Sequence, residues 1–199
     1  MPTPRQCKVR RSTKETTIAV DLVLDGTGIA AVETGIPFMD HMLAAFARHG
    51  YFDLRVKATG DLEVDAHHTI EDLGLVLGQA IREALGDKAG IARYGTAYVP
   101  MDEALARVAV DLAGRPGLGF RVRQVSATVG GFDVRLIREF FQALVNAGGI
   151  TLHLDLIAGE EAHHIYEAVF KAFGRALDAA TALEPRCQGV PSTKGSLTI

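Results

Sequence analysis

The chain repeats itself, and this repetition restricts the folds it can adopt. Ala66-His67-His68 recurs as Ala162-His163-His164, an offset of 96 residues (163 minus 67). The same offset relates further identical residues, which are Glu71 with Glu167, Gly78 with Gly174, and Ala80 with Ala176. Upstream the offset is 98, and it relates Ala45, Gly50 and Leu54 to Ala143, Gly148 and Leu152. Such a series indicates two similar halves, predicted at residues 1–88 and 89–185, followed by a tail at 186–199.

Hydrophobic periodicity predicts the same order of elements in both halves. In the first half it predicts strands at residues 17–24 and 52–58 and helices at 37–48 and 68–85. In the second half it predicts strands at 106–112, 120–125 and 150–157 and helices at 134–146 and 163–182. The long helices carry apolar stripes that must pack on a sheet. The predicted fold class is therefore α+β, an internally duplicated two-layer sandwich.

Composition excludes several classes of protein. The chain has 199 residues, of which 48% are hydrophobic and 23% charged, so it can bury a substantial core. The net charge of -3 lacks the basic field of a nucleic-acid binder. No secretory signal or membrane-length apolar segment is readable, which predicts a cytoplasmic protein without a membrane partner. Cys7 and Cys187 lie far apart and predict neither a disulfide framework nor a cysteine zinc site.

Each long helix is predicted to begin with two adjacent histidines followed by a glutamate. His67 and Glu71 are four residues apart and therefore share one helix face, whereas His68 is turned by about 100°. The second copy consists of His163, His164 and Glu167. Imidazole with carboxylate suits manganese, iron and related ions, and the spacing alone does not choose among them. One copy is typical of capping or surface histidines, but two copies in register predict metal binding.

Three other histidines lie near these motifs in the sequence. His41 falls one turn inside the first predicted helix, and Glu139 corresponds to it at the offset of 98. Both halves therefore offer a residue that can bind a metal at this position. We expect structural roles for His49, beside a helix-ending glycine, and for His153, on a predicted strand.

Six motifs, spread over most of the chain, resemble those of one enzyme family. They are Arg11-x-Thr13-x-Glu15-Thr16, Asp40-His41-Met42-Leu43, Ala66-His67-His68-Thr69-Ile70-Glu71-Asp72, Pro100-Met101-Asp102-Glu103-Ala104, Ala162-His163-His164 and Pro191-Ser192-Thr193-Lys194-Gly195. In this combination the chain resembles imidazoleglycerol-phosphate dehydratase, a carbon–oxygen hydro-lyase of histidine biosynthesis. The resemblance implies a four-stranded sheet packed by two helices in each half, of the ribosomal protein S5 domain 2-like type. It also implies a homo-oligomeric octahedral cage with active sites between subunits.

The resemblance further implies two Mn²⁺ ions in each active site. One ion would be bound by His41, His68, His163 and Glu167, and the other by His67, Glu71, His164 and the position of Glu139. Some relatives have histidine where this chain has Glu139, and a carboxylate can replace imidazole on manganese. The phosphate substrate would be bound by Glu15, His41, Arg93, Arg115, Ser192 and Lys194.

The implied reaction converts D-erythro-imidazole glycerol phosphate into imidazole acetol phosphate and water. Metals on both ring nitrogens would favour an imidazolate whose electrons expel the neighbouring hydroxyl, giving a diazafulvene-like intermediate. Glu167 or Glu71 would act as the acid/base, and Glu15 would hydrogen-bond the hydroxyls.

Two other functions stay open from the residues alone. One is a metal-dependent hydrolase of phosphate esters, and the other is a non-catalytic assembly that stores or senses metal ions. A nucleotide-binding protein is disfavoured because Gly26-Thr27-Gly28 lacks the third glycine of a dinucleotide loop.

Overall fold

The first half of the chain is a four-stranded sheet covered by two helices. A computed structural model describes residues 5–123 and 127–197. The first half contains, in order, β1 (Gln6–Ser12), β2 (Thr16–Val23), β3 (Ala30–Glu33), α1 (Pro37–Gly50), β4 (Asp53–Gly60) and α2 (His67–Leu85). The order in the sheet is β1-β2-β4-β3, and only the β3–β4 pair of these strands is parallel.

The second half repeats this topology. It contains β5 (Tyr94–Met101), β6 (Ala104–Asp111), β7 (Gly117–Arg121), β8 (Thr128–Val129), β9 (Phe132–Asp133), α3 (Leu136–Gly148), β10 (Thr151–Ala158) and α4 (Ala162–Thr181). Its four-stranded sheet has the order β5-β6-β10-β7, with β7 parallel to β10, and β8 and β9 form a small separate hairpin. The predicted duplicated α+β sandwich is confirmed.

The two central strands β2 and β6 show why one face of each sheet carries the core. In both strands, fully buried residues alternate with half-buried ones along all eight positions. The buried positions include Ile18 and Val20 in β2, and Ala106 and Val108 in β6. An antiparallel sheet with one face on helices produces this alternation.

The helices of the two halves pack against one another at glycines. A Cβ atom placed on Gly78 of α2 would lie 2.3 Å from the carbonyl oxygen of Leu144 in α3. A Cβ atom on Gly174 of α4 would lie 2.4 Å from that of Phe46 in α1. Gly78 corresponds to Gly174 in the repeat, and Phe46 to Leu144. The long helix of each half therefore packs closely on the short helix of the other half, with pseudo-two-fold symmetry.

Several predicted boundaries differ from the structure. Helix α1 continues through His49 and Gly50, where the sequence predicts an end at residue 48, and Tyr51 terminates it in the left-handed conformation (φ 57°). Strand β7 covers Gly117–Arg121, whereas the sequence predicts a strand at 120–125, and residues 124 and 125 lie outside the described part of the chain. Alternation alone does not locate β1, because Val9 is its only buried residue. The boundaries of the repeats and tail stay predictions.

Among the described residues, no helix is long and apolar enough to cross a membrane.

Candidate active site

Three side chains from the two halves meet where α1 packs on α4. Nε2 of His41 lies 3.2 Å from Oε2 of Glu167, and Nε2 of His163 lies 3.3 Å from the same oxygen. One potential ligand atom of each residue lies within 4.8 Å of the others. Among residues 5–123 and 127–197, this trio is the only group of three or more His, Cys, Asp or Glu side chains that meets this criterion. The trio therefore depends on the packing between the halves.

The local structure explains how the trio forms. His163 and Glu167 are four residues apart in α4 and stack on one helix face, as the spacing predicts. His41 lies in the second turn of α1. Further along the two helices, the rings of Phe46 in α1 and Phe173 in α4 stack with centroids 5.0 Å apart. This apolar contact holds the two helices at the separation that lets His41 reach Glu167.

Glu167 is buried, with 8% of its surface exposed. Burial favours the protonated form of its carboxyl, but hydrogen bonds from Lys171 and His41 outweigh that effect, so the pKa of Glu167 lies below its ordinary value. Nζ of Lys171 is 2.6 Å from Oε1 of Glu167 and is four residues further along the same helix. The site thus holds an ionised carboxylate beside two imidazoles. Sequence reasoning missed Lys171, although its spacing from Glu167 was a readable signal.

The two histidines of each motif face different partners. Nδ1 of His164 lies 2.8 Å from Oε2 of Glu103, whereas the neighbouring His163 belongs to the trio. In the first half, Nδ1 of His68 lies 2.9 Å from Oδ2 of Asp61. These contacts raise the pKa of His164 and of His68. Adjacent histidines therefore serve two separate positions, as the turn of about 100° per residue predicts.

The pseudo-symmetric counterparts of the trio are less closely grouped. His67, Glu71 and Glu139 correspond to His163, Glu167 and His41, but within the described chain they form no group under the same distance criterion. Glu139 instead lies 3.4 Å from Nη1 of Arg138. His68 also lies outside the trio. A single chain thus brings together three of the four residues expected for one ion, and not the four expected for the other.

Four predicted substrate-binding residues line one cavity. This cavity of about 760 Å³ is lined by Arg93, Arg115, Ser192 and Lys194, together with Tyr94 and residues of the same tail. Its lining contains three cationic side chains, of which Arg93 is paired with Asp111 behind the lining. Guanidinium and ammonium groups supply charge-assisted donors to phosphate, so the cavity is suited to a phosphoryl group.

The C-terminal tail that carries Ser192 and Lys194 is anchored by specific contacts. Nη1 of Arg93 donates to the carbonyl of Pro191 (2.9 Å), while its Nε and Nη2 donate to Asp111. The buried ammonium of Lys88 donates to the carbonyl of Leu197 (3.2 Å). Arg93 therefore orders the tail in addition to lining the cavity.

Glu15 lies in the turn between β1 and β2, with 58% of its side chain exposed. Its Oε2 is 3.9 Å from Nδ1 of His68, so the structure places Glu15 beside His68 rather than in the trio. The turn is held by Asp72, which accepts hydrogen bonds from Arg11 (2.9 Å) and Thr16 (2.5 Å).

A second cavity, of about 690 Å³, opens beside the trio. His41 and His163 form part of its wall, together with apolar side chains such as Phe38, Phe132 and Leu136. His49 and His153, which are predicted to be structural, are not in the trio.

A duplicated α+β sandwich with a His–His–Glu trio and a cationic cavity defines a candidate metalloenzyme for small phosphorylated molecules. Comparison with known proteins gives the family. Residues 34–177 match the family model of imidazoleglycerol-phosphate dehydratase. The dehydratase of Acidithiobacillus ferrooxidans is 59% identical over 197 residues, covering 98% of this chain and 99% of that protein. The dehydratase of Geobacter sulfurreducens is 58% identical over 193 residues, with 97% and 99% covered.

Two solved structures support the same family. The Staphylococcus aureus imidazoleglycerol-phosphate dehydratase is 41% identical, with a TM-score of 0.81 over 90% of this chain and 99% of that one. The structure of IGPD from Pyrococcus furiosus is 40% identical, with a TM-score of 0.82 over 94% of this chain and 99% of that one. The chain therefore belongs to the imidazoleglycerol-phosphate dehydratase family and is a hydro-lyase of histidine biosynthesis.

Proposed function

We propose that the chain dehydrates D-erythro-imidazole glycerol phosphate to imidazole acetol phosphate with two manganese ions in each active site. The observation that carries the manganese proposal is the trio of His41, His163 and Glu167. Two imidazoles and one ionised carboxylate form a donor set that fits manganese. When bound, the ions would act as Lewis acids on the nitrogens of the substrate ring and favour its imidazolate form.

The proposed ligand sets extend the trio. His41, His163, Glu167 and His68 would hold one ion, and His67, Glu71, His164 and Glu139 the other. The pseudo-two-fold symmetry supports two ligand sets of this kind, because it relates the trio to His67, Glu71 and Glu139 of the second set. Glu139 makes the second set richer in carboxylate than the first.

Chain residues would carry the proton transfers. A carboxylate must take the proton from the substrate carbon, and Glu167 and Glu71 are the candidates because each lies on the ligand face of its helix. The lowered pKa of Glu167 keeps its carboxylate ionised and without a proton, although it also makes that carboxylate a weaker base. Glu15, beside His68, would hydrogen-bond the substrate hydroxyls. Arg93, Arg115, Ser192 and Lys194 would bind the phosphate, which the cationic lining of their cavity supports.

We also propose that active sites form between chains of a homo-oligomeric, octahedral cage in the cytoplasm, with neither nucleic acid nor membrane as partner. The separation of His68 from the trio supports shared sites, since a second copy would have to supply the fourth ligand. A closed symmetric assembly is the usual form of a homo-oligomer.

Turnover by metal-stripped protein tests the reaction and the metal together. We expect formation of imidazole acetol phosphate only after manganese is added, because the imidazole ring is unactivated without the ions. The ketone product is followed with and without manganese, and inorganic phosphate is measured in parallel. Phosphate release without ketone would indicate a hydrolase, and manganese binding without turnover would indicate storage or sensing.

Mixing two inactive variants tests whether sites are shared. His68→Asn removes the proposed partner-derived ligand, and Glu167→Gln disables the trio. After dissociation and reassembly together, some sites would combine an intact trio from one chain with His68 from the other. We expect activity to return in the mixture, whereas each variant reassembled alone stays inactive. No return after verified chain exchange would contradict shared sites.

A further inference from the structure

We propose that Asp61 and Glu103 are positioning residues that fix the tautomer and direction of His68 and His164. Each carboxylate would hold the proton on Nδ1 and leave the lone pair of Nε2 free to bind metal. This inference rests on the proposed function, because it assigns the ligating atom of two proposed manganese ligands.

The contact between Asp61 and His68 determines which ring nitrogen is available. Oδ2 of Asp61 lies 2.9 Å from Nδ1 of His68. An ionised carboxylate only accepts hydrogen bonds, so the neutral ring must carry its proton on Nδ1, and Nε2 keeps its lone pair. Glu15 is 3.9 Å from the same nitrogen, beyond hydrogen-bond distance. Asp61, rather than Glu15, therefore sets the tautomer.

Asp61 is itself fixed in place. It follows β4 directly, and its carbonyl accepts the backbone N–H of Val64 (2.8 Å) in the next turn. Its side chain is 18% exposed, and its Oδ1 is buried without a hydrogen-bond partner among the described residues. Among the described residues, His68 is the only side chain that contacts the carboxylate, and it does so through Oδ2.

Glu103 plays the same part for His164 from a different place in the fold. Its Oε2 lies 2.8 Å from Nδ1 of His164, and its Oε1 accepts the backbone N–H groups of Glu160 (3.2 Å) and Glu161 (2.9 Å). Asp102, 67% exposed, lies farther away, with Oδ2 3.5 Å from Nε2 of the ring.

The repeat does not relate these two carboxylates. Glu103 lies in the turn between β5 and β6, whereas Asp61 follows β4, and the offset of 98 that relates β4 to β10 places Gly159 opposite Asp61. Corresponding histidines thus receive a carboxylate at the same ring nitrogen from unrelated positions. The strand registers, in which Val20 pairs with Val56 and Val108 with Leu154, make Glu15 the counterpart of Glu103. Asp61 is therefore a carboxylate outside the repeat, and a shared requirement for Nε2 as the metal-binding atom explains its contact with Nδ1 of His68.

Two substitutions of Asp61 test the assignment through the ring itself. Asp61→Asn keeps an acceptor for Nδ1–H but loses the charge, and Asp61→Ala loses both. In metal-free, ¹⁵N-histidine-labelled protein at a pH where the ring is neutral, solid-state NMR reports the tautomer, with His68 assigned by its absence from His68→Asn. We expect Nδ1–H in the wild type and a gain of Nε2–H in Asp61→Ala. Manganese affinity, measured by electron paramagnetic resonance, should fall about 10-fold in Asp61→Asn and about 100-fold in Asp61→Ala, the range for outer partners of metal ligands.

Glu63→Gln is the matched control, since it removes one exposed charge from the same loop. It should change neither the tautomer of His68 nor the manganese affinity. Unchanged tautomer and affinity in Asp61→Ala would overturn the inference, even if that variant were less stable. If the wild type bound no manganese, the proposed function would fail. The tautomer in metal-free protein would still decide whether Asp61 fixes the proton of His68 on Nδ1.

Discussion

Replacement of Glu167 by glutamine is expected to abolish most of the manganese affinity and turnover of the enzyme. Glu167 is the one carboxylate of the trio, and its Oε2 is the atom that both imidazoles approach. Glutamine keeps the volume but leaves the ammonium of Lys171 unpaired beside the proposed cation site. Manganese affinity should fall by about 100-fold or more, beyond the usual loss for an outer partner. Turnover should fall by roughly 10²–10⁴-fold, as when a positioned acid or base is removed.

Two further variants separate charge from structure in this experiment. Glu167→Gln combined with Lys171→Met removes the unpaired cation, so metal affinity should recover in part while turnover stays low. Glu160→Gln removes an exposed charge near the start of the same helix and should match the wild type in both. Metal content is measured by elemental analysis and folding by the unfolding midpoint. A normal metal content in Glu167→Gln would show that the trio is not a manganese site.

The internal repeat explains why the fold was predictable from this chain. Matching positions such as Gly78 and Gly174 mark equivalent places in two copies of one structure, so elements found in one half support those in the other. Periodicity locates β2 and β10 to within one residue at each end, and in β2 the buried residues alternate because one face of the strand lies on helices and the other does not. Strand β1 leaves only Val9 buried and therefore carries no alternating signal.

The candidate site was predictable where its residues share a helix face. The spacing of His163 and Glu167 follows from helix geometry, and so does the separate direction of His164. Asp61 and Glu103 were missed because they reach the histidines from loops, and the contacts that bring a loop to a helix start are not encoded in local spacing. The meeting of His41 with α4 likewise depends on packing between the halves.

Substitution of Gly174 by alanine is expected to cause a large loss of stability at the contact between α1 and α4. The added methyl would lie 2.4 Å from the carbonyl oxygen of Phe46, and a backbone atom cannot rotate away as a side chain would. Overpacking costs about 1–3 kcal/mol, and we expect about 3 kcal/mol or more here because α1 must move as a whole. The unfolding midpoint should fall by roughly 10 °C for a chain of this size.

Comparison with two other glycines shows whether this contact also positions the residues of the proposed metal site. Gly78→Ala introduces the equivalent clash with Leu144 between α2 and α3, and should reduce stability similarly while leaving the trio together. Gly117→Ala meets its nearest atom at 3.5 Å, an ordinary contact, and should leave the midpoint unchanged. Because moving α1 carries His41 away from α4, only Gly174→Ala should also weaken manganese binding at the trio, measured below the unfolding temperature. Equal manganese affinity in Gly174→Ala and Gly78→Ala would mean that the trio tolerates movement between the halves, and its geometry would then not depend on this helix contact.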